Sequence, residues 1–104
     1  MLVKMESGSG SGGNAQYEKT QKEMVGSQWT PVNNIKCSTD DLLMVFIHDS
    51  SNHSSMLLSN GDGTYISYNT SSYTNIRINN GQLEFYYNWT GGTIDYDVDY
   101  CYSV

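Results

Sequence analysis

Apolar and polar residues alternate with a period of two from Gln28 to the end of the chain. Successive side chains of a β-strand point to opposite faces, so this alternation predicts strands that each bury one face. The clearest case is the stretch Gln82 to Trp89, in which Leu83, Phe85, Tyr87 and Trp89 are predicted to point inward. About seven such stretches predict an all-β fold, a small antiparallel β-sandwich or jelly roll. The period also excludes a helical or parallel α/β fold.

The predicted strands are Gln28 to Lys36, Leu42 to His48, Met56 to Ser59, Thr64 to Asn69, Tyr73 to Asn79, Gln82 to Trp89 and Thr93 to Val104. Pro31 makes the first an edge or bent strand, because proline cannot donate to a ladder. Leu42 to Ile47 is a continuous apolar run, which predicts a central strand covered on both faces. Asn-Gly pairs at Asn60 and Asn80 predict tight hairpin turns.

The segment before these strands has a different pattern. Between Asn14 and Gly26, apolar and polar residues fall at near-helical spacing, with Met24 and Val25 just before a glycine. This spacing predicts a short N-terminal helical or disordered segment, such as the end of a stalk. The β-sandwich domain is therefore expected to span residues 27 to 104.

Residues 1 to 13 do not resemble the rest of the chain. Ser7 to Gly13 consist of Ser and Gly alone, which predicts a flexible engineered linker. Met1 to Met5 are then either a tag or a tethered strand, because Leu2, Val3 and Met5 could pair with an open sheet edge.

The charge balance restricts the partners. The chain carries 5 Lys and Arg against 11 Asp and Glu, a net charge of −6, which repels a phosphate backbone. No apolar run approaches the roughly 18 residues of a membrane-spanning helix. We therefore expect neither nucleic-acid binding nor membrane insertion.

No catalytic signature is present, and we expect no enzymatic activity. His48, Asp49, Ser50 and Ser51 lie together in sequence, but adjacency along a turn does not supply the geometry of a catalytic triad, and these residues are expected to form a polar loop. We also expect no cofactor.

A metal site is not expected either. Asp95, Asp97 and Asp99 are predicted to point outward from one strand as a solvated acidic face, since adjacent carboxylates on a strand are too far apart to chelate one ion. Cys37 and Cys101 are either a disulfide that staples the sandwich or two free thiols in a reducing compartment.

Aromatic residues give the best functional prediction. The chain has nine Tyr and two Trp, more than a small core requires, and counting by two leaves several on the polar faces. Exposed aromatic rings make contacts to sugars and proteins at a low entropy cost. The predicted ligand-binding residues are Tyr65, Tyr73, Tyr86 and Asn88. The alternative is that both faces of the sheets are covered within a sandwich or trimer.

The layout resembles the C-terminal receptor-binding head domain of phage tail-fibre or baseplate proteins. The resemblance rests on the stalk-like segment, the strand containing Gln28-Trp29-Thr30, the apolar central strand, the Tyr-, Asn- and Ser-rich hairpins and the Tyr-rich last strand. It implies a trimeric β-sandwich on a virion or extracellular surface that binds a host-surface saccharide or protein without a cofactor.

Two functions follow from these observations. The first is a non-enzymatic recognition or adhesion domain that self-associates. The second is a structural or assembly β-domain that is completed by the tethered strand Met1 to Met5.

Overall fold

The computed structural model describes residues 14–32, 35, 39–51, 53–60 and 64–103. These residues form eight strands and no helix. The strands are β1 (Ala15–Val25), β2 (Thr30–Pro31), β3 (Leu42–His48), β4 (Ser54–Ser59), β5 (Tyr65–Asn69), β6 (Thr74–Asn79), β7 (Gln82–Tyr87) and β8 (Thr93–Ser103).

All the strands pair antiparallel in two sheets. The larger sheet has the order β1-β8-β3-β4-β5, and the smaller sheet has the order β2-β7-β6. One face of each sheet contributes to a shared core, so the predicted all-β sandwich is confirmed. Strand β3 lies in the middle of its sheet, as its apolar run predicts, and β7 lies in the middle of the smaller sheet.

The core lies between the two sheets. Val45, Ile47 and Leu57 of the larger sheet are fully buried, and Ile76 and Phe85 of the smaller sheet pack in the same cluster. Three tyrosines of β8 and one of β7 also belong to this cluster: Tyr96, Tyr100, Tyr102 and Tyr87. Large aromatic side chains therefore fill much of the volume that aliphatic residues occupy in many sandwiches.

The predicted helical or stalk-like segment at 14–26 is wrong. Residues Ala15–Val25 form strand β1, which pairs with β8 along its whole length, from Ala15 opposite Ser103 to Val25 opposite Thr93. The ladder satisfies the backbone polar groups on one side of β1, and Met24 enters the core. The carboxylate of Glu18 accepts hydrogen bonds from the hydroxyls of Tyr100 (3.2 Å) and Tyr102 (2.8 Å), which anchors the strand further.

Other strand predictions hold with changed ends. β3 has the predicted bounds. Among the described residues of the predicted strand from Gln28 to Lys36, Thr30–Pro31 form the ladder with β7 at the edge of the smaller sheet, and the amide of Val32 donates to the carbonyl of Leu83 at 2.9 Å. The turn between β6 and β7 has positive φ at Asn80 (53°) and Gly81 (76°), as a tight Asn-Gly hairpin requires.

Coverage of β3 differs from the prediction. Leu42, Val45 and Ile47 are buried in the core, but Met44 and Phe46 face outward and are only half-buried. A bulge between Leu42 and Met44 in the pairing with β8 brings both Leu42 and Val45 inward. The described residues thus cover one face of this central strand and leave the other partly open.

The predictions for the tag and linker, for Cys37, for the turn residues 61–63 and for Val104 lie outside the described residues. Within the described part of the chain, no helix has the length and apolar character needed to cross a membrane.

Candidate functional site

The large hydrophobic side chains that remain exposed belong to two surfaces. Five such residues expose between 53% and 68% of their surface: Tyr17, Ile66, Tyr68, Tyr73 and Trp89. Tyr73 and Trp89 both line a cleft at one end of the sandwich. Tyr17, Ile66 and Tyr68 lie on the outer face of the larger sheet, according to the register of its strands. Each place is a candidate contact surface.

The cleft has a volume of about 420 Å³ and is built by three connections and the strand ends beside them. Its lining consists of Asp49, Ser51 and His53 after β3, Tyr73 before β6, Tyr87, Asn88 and Trp89 at the end of β7, and Ile94 of β8. The volume is at the lower end of the range for small-ligand sites, roughly 300 to 1,000 Å³. An apolar floor with a few polar groups at the rim is typical of such sites.

Asp49 holds one wall of the cleft in place. Its Oδ1 atom accepts hydrogen bonds from the backbone amides of Ser51 (2.9 Å) and His53 (3.0 Å), and its Oδ2 atom lies 3.4 Å from Nδ1 of His53. Burial is the main cause that raises the pKa of Tyr96, and the charge of Asp49, to which its hydroxyl hydrogen-bonds, raises it further. The carboxylate of Asp49 therefore fixes the loop that presents His53.

Trp89 contributes a flat apolar ring to the cleft. Its indole ring lies over the backbone of Gly91, where an added Cβ would come within 2.7 to 2.9 Å of three ring atoms. The absence of a side chain at Gly91 allows this close approach. Tyr87 anchors the loop between β7 and β8, because its hydroxyl donates to the carbonyls of Gly92 (2.9 Å) and Met24 (3.1 Å).

Tyr73 and Asn88 adjoin each other in the cleft. The backbone amide of Asn88 donates to the backbone carbonyl of Tyr73 at 2.7 Å. This hydrogen bond joins the end of β7 to the turn before β6. The ring of His53 meets that of Tyr73 edge-on, with the centroids 5.4 Å apart. The cleft thus combines two exposed aromatic rings with the side chains of Asn88, His53 and Asp49.

The structure brings together two of the four predicted ligand-binding residues. Tyr73 and Asn88 line the cleft, but Tyr86 lies in the smaller sheet, with its ring 5.5 Å from that of Trp29. Tyr65 is half-buried and packs against the core. The four residues therefore do not form one surface.

Trp89, Asp49 and His53 are the cleft residues that the sequence pattern did not single out. Trp89 was predicted to point into the core as the last inward residue of its strand. Strand β7 ends at Tyr87, so the alternation stops two residues earlier and Trp89 lies in the loop. The pair Gly91-Gly92, which follows Trp89 after one intervening threonine, is the signal that could have indicated a loop.

The acidic strand has partners that the sequence did not predict. Asp99 Oδ2 lies 2.9 Å from Nε2 of His48, and Asp97 accepts a hydrogen bond of 3.1 Å from Gln21. Asp95 and Asp97 are exposed, as predicted. Among the described residues, no group of three or more His, Cys, Asp or Glu could hold a metal ion.

The fold separates His48 from Asp49, its neighbour in the sequence. His48 pairs with Asp99 on the outer face of the larger sheet, whereas Asp49 lines the cleft. Cys101 lies on the same outer face, where its cross-strand neighbours Tyr17 and Met44 flank it, and its free thiol is buried. Burial raises the pKa of this thiol.

Comparison with known proteins identifies no relative of this chain. No family model matches the chain, and neither a curated protein nor a solved structure is similar to it. The cleft and its residues are therefore the basis for any statement about function.

Proposed function

We propose that this domain is a non-enzymatic recognition module that binds a neutral saccharide in the cleft between Tyr73 and Trp89. The observation that carries the proposal is the meeting of two exposed aromatic rings with polar side chains in one concave site. A receptor-binding head of the phage-fibre type, which attaches to a host-surface glycan, is the biological role that this proposal favours.

The chemistry of the cleft suits a sugar ring. A pyranose has an apolar face of C–H groups and a rim of hydroxyls, so it needs a flat aromatic surface and hydrogen-bonding groups beside it. The indole of Trp89 and the phenol of Tyr73 offer such surfaces. The side-chain amide of Asn88 supplies a donor and an acceptor, and Nε2 of His53 adds a further hydrogen-bonding group within the same cleft.

The charge of the cleft favours a neutral ligand. The described residues that line it include no Lys or Arg, and the carboxylate of Asp49 lies in its wall. A sialylated or sulfated sugar would enter without a cationic partner and would lose hydration. We therefore expect neutral hexoses or N-acetylhexosamines to bind better than acidic sugars.

The experiment begins with a glycan array and continues with calorimetric titration of the strongest neutral glycan. Replacing Trp89 by Ala removes the larger platform, and we expect a loss of about 2 kcal/mol, which is roughly a 30-fold rise in Kd. Tyr68→Ala is the matched control, because Tyr68 is also mostly exposed but lies outside the cleft. Thermal melting of each variant checks the fold.

Two results would overturn the proposal. One is a glycan array on which sialylated or sulfated sugars bind and neutral ones do not. The other is binding that Tyr68→Ala weakens as much as Trp89→Ala does. The first result would contradict the expected ligand class, and the second would place the binding surface elsewhere.

One observation favours the second candidate function, a β-domain completed by a tethered strand. β1 is an edge of the larger sheet, since the described residues pair it with β8 alone, and it directly follows the linker. Against this function, β1 carries Lys19 and Lys22, and charged side chains on an edge strand discourage pairing with a further strand. Removing residues 1–13 distinguishes the two functions, because a recognition domain keeps its melting temperature and a strand-completed domain loses stability.

A further inference from the structure

The outer face of the larger sheet carries two rows of apolar side chains. The register places one row across all five strands, and its members are Tyr17, Cys101, Met44, Leu58 and Ile66. The next row has Phe46, Met56 and Tyr68 on three adjacent strands, continued by Asp99 and Lys19. In a two-layer sandwich the outer face is normally polar, so these rows need an explanation.

The outer face of the larger sheet exposes a large apolar area. Tyr17, Ile66 and Tyr68 are each more than half exposed, and with full side chains of about 150 to 250 Å² they alone expose roughly 350 Å². The half-buried Met44, Phe46, Met56 and Leu58 bring the patch to roughly 500 Å², within the range at which the largest patch of a monomer is often functional.

We propose that this face is where two copies of the chain associate, with the larger sheets stacked face to face about a two-fold axis. Two patches of this size together bury roughly 1,000 Å². The polar residues around them raise the total buried area to the lower end of the range for specific protein–protein interfaces. A flat sheet face is matched by an identical face, since stacked sheets pack about 10 Å apart with interdigitated side chains.

The charges next to the patch allow a second copy to approach. The whole chain carries −6, which opposes association. Beside the apolar rows, however, Lys19 lies opposite Asp99, and His48 hydrogen-bonds to the same carboxylate. Asp97 lies in the next row, opposite Gln21 and His48, and the acidic pair Glu23 and Asp95 lies at the far end of the face. The apolar rows themselves therefore contain one basic and one acidic side chain, Lys19 and Asp99, and the carboxylates that would repel a second copy lie beyond them toward one end of the face.

This pairing would also cover the side of β3 that the sequence pattern predicts to be buried. The continuous run Leu42 to Ile47 indicates a strand with both faces covered, but the described residues leave Met44 and Phe46 only half-buried. A second copy supplies that missing layer. The resemblance to phage-fibre head domains implies a trimer, whereas a face-to-face stack closes with two copies.

The test is the mass of the full chain in solution by sedimentation equilibrium, up to about 100 µM. We expect a dimer in the wild type, and at least a tenfold rise in its dissociation constant for both Tyr68→Glu and Ile66→Lys. Tyr73→Glu is the matched control, because it places the same charge at a similarly exposed tyrosine outside this face. Circular dichroism confirms that all three variants are folded.

Three outcomes would overturn the proposal. They are a monomer at every concentration, a trimer, or a dimer that Tyr73→Glu weakens as much as Tyr68→Glu does. In the first case, residues 1–13 or a different protein would remain as the cover for this face. Because the cleft contains none of the patch residues, a negative result here leaves the proposed saccharide site unaffected.

Discussion

The tyrosines of this chain differ in what their hydroxyl groups contact. Tyr87 is buried, and its hydroxyl joins the carbonyl of Met24 on β1 to that of Gly92 in the loop after β7. Tyr96 is buried beside Asp49, and Tyr73 is exposed in the cleft. One residue type thus stabilises the core, positions a loop and offers a binding surface, depending on what surrounds it.

Tyr87→Phe tests how much the buried hydroxyl stabilises the protein. The substitution keeps the ring but leaves the carbonyls of Met24 and Gly92 without this donor. We expect the free energy of unfolding to fall by about 1 to 3 kcal/mol, the usual cost of removing a buried hydrogen-bond partner. Urea unfolding measures the change. Tyr73→Phe is the control and should change stability by less than about 0.5 kcal/mol, because that side chain is exposed.

Strand β1 shows where local pattern is a poor guide. Its sequence, AQYEKTQKEMV, places apolar residues at near-helical spacing, yet Glu18, Thr20, Lys22 and Met24 also share one face of a strand. Pairing with β8 along eleven residues favours the strand, because the ladder supplies backbone hydrogen bonds and the packing of Met24. The choice depends on a partner at the other end of the chain, which no local window includes.

Hydrogen exchange distinguishes the two conformations of this segment directly. In an edge strand, only every second amide faces the neighbouring strand, so we expect protection in β1 to alternate from residue to residue. A helix would protect consecutive amides after its first turn. Amide exchange followed by NMR over residues 15–25 makes the measurement. Uniform protection, or none, would contradict the pairing of β1 with β8.

The remaining strands were more predictable than the site. β3 matches its predicted bounds, and β5 to β8 begin or end within a few residues of them, because alternation and Asn-Gly turns are local signals. The cleft depends on three loops that are distant in sequence but meet at one end of the sandwich. Tyr73 and Asn88 were predicted as ligand-binding residues together with Tyr65 and Tyr86, which the fold places elsewhere. No feature of the sequence shows that Asp49 and His53 lie beside them.

The stability of the whole domain is expected to fall at alkaline pH. Burial raises the pKa values of Cys101, Tyr87 and Tyr96 in the folded state, from ordinary values of 9.0 for the thiol and 10.0 for the phenols. The unfolded chain therefore loses these protons first, and the stability that is fully present below pH 9.0 is lost as pH rises further. Each such group costs up to about 1.4 kcal/mol per pH unit above its unfolded pKa.

Urea unfolding between pH 7 and pH 11 tests this expectation. The free energy of unfolding should be nearly level up to about pH 9 and fall above it. Tyr96→Phe should reduce the slope above pH 10.0, although it lowers stability at neutral pH by removing the hydrogen bond to Asp49. An unchanged slope in this variant would show that Tyr96 does not contribute.

The two exposed surfaces are formed by different parts of the molecule. The cleft belongs to the loops at one end of the sandwich, and the apolar rows belong to the outer face of the larger sheet. Loss of association is therefore expected to leave the affinity of each cleft unchanged. A pair of copies would present two clefts, which strengthens attachment to a surface that carries many copies of a glycan.

The indole N–H signals in a proton–nitrogen NMR spectrum test saccharide binding in the cleft most directly. The chain has only two tryptophans, and Trp29 lies outside the cleft beside Tyr86, so each titration contains its own control. On addition of short neutral oligosaccharides, the proposed function predicts that the Trp89 signal shifts and saturates while the Trp29 signal stays in place. A shift of Trp29 with Trp89 unchanged, or no shift of Trp89 with any neutral sugar, would contradict it.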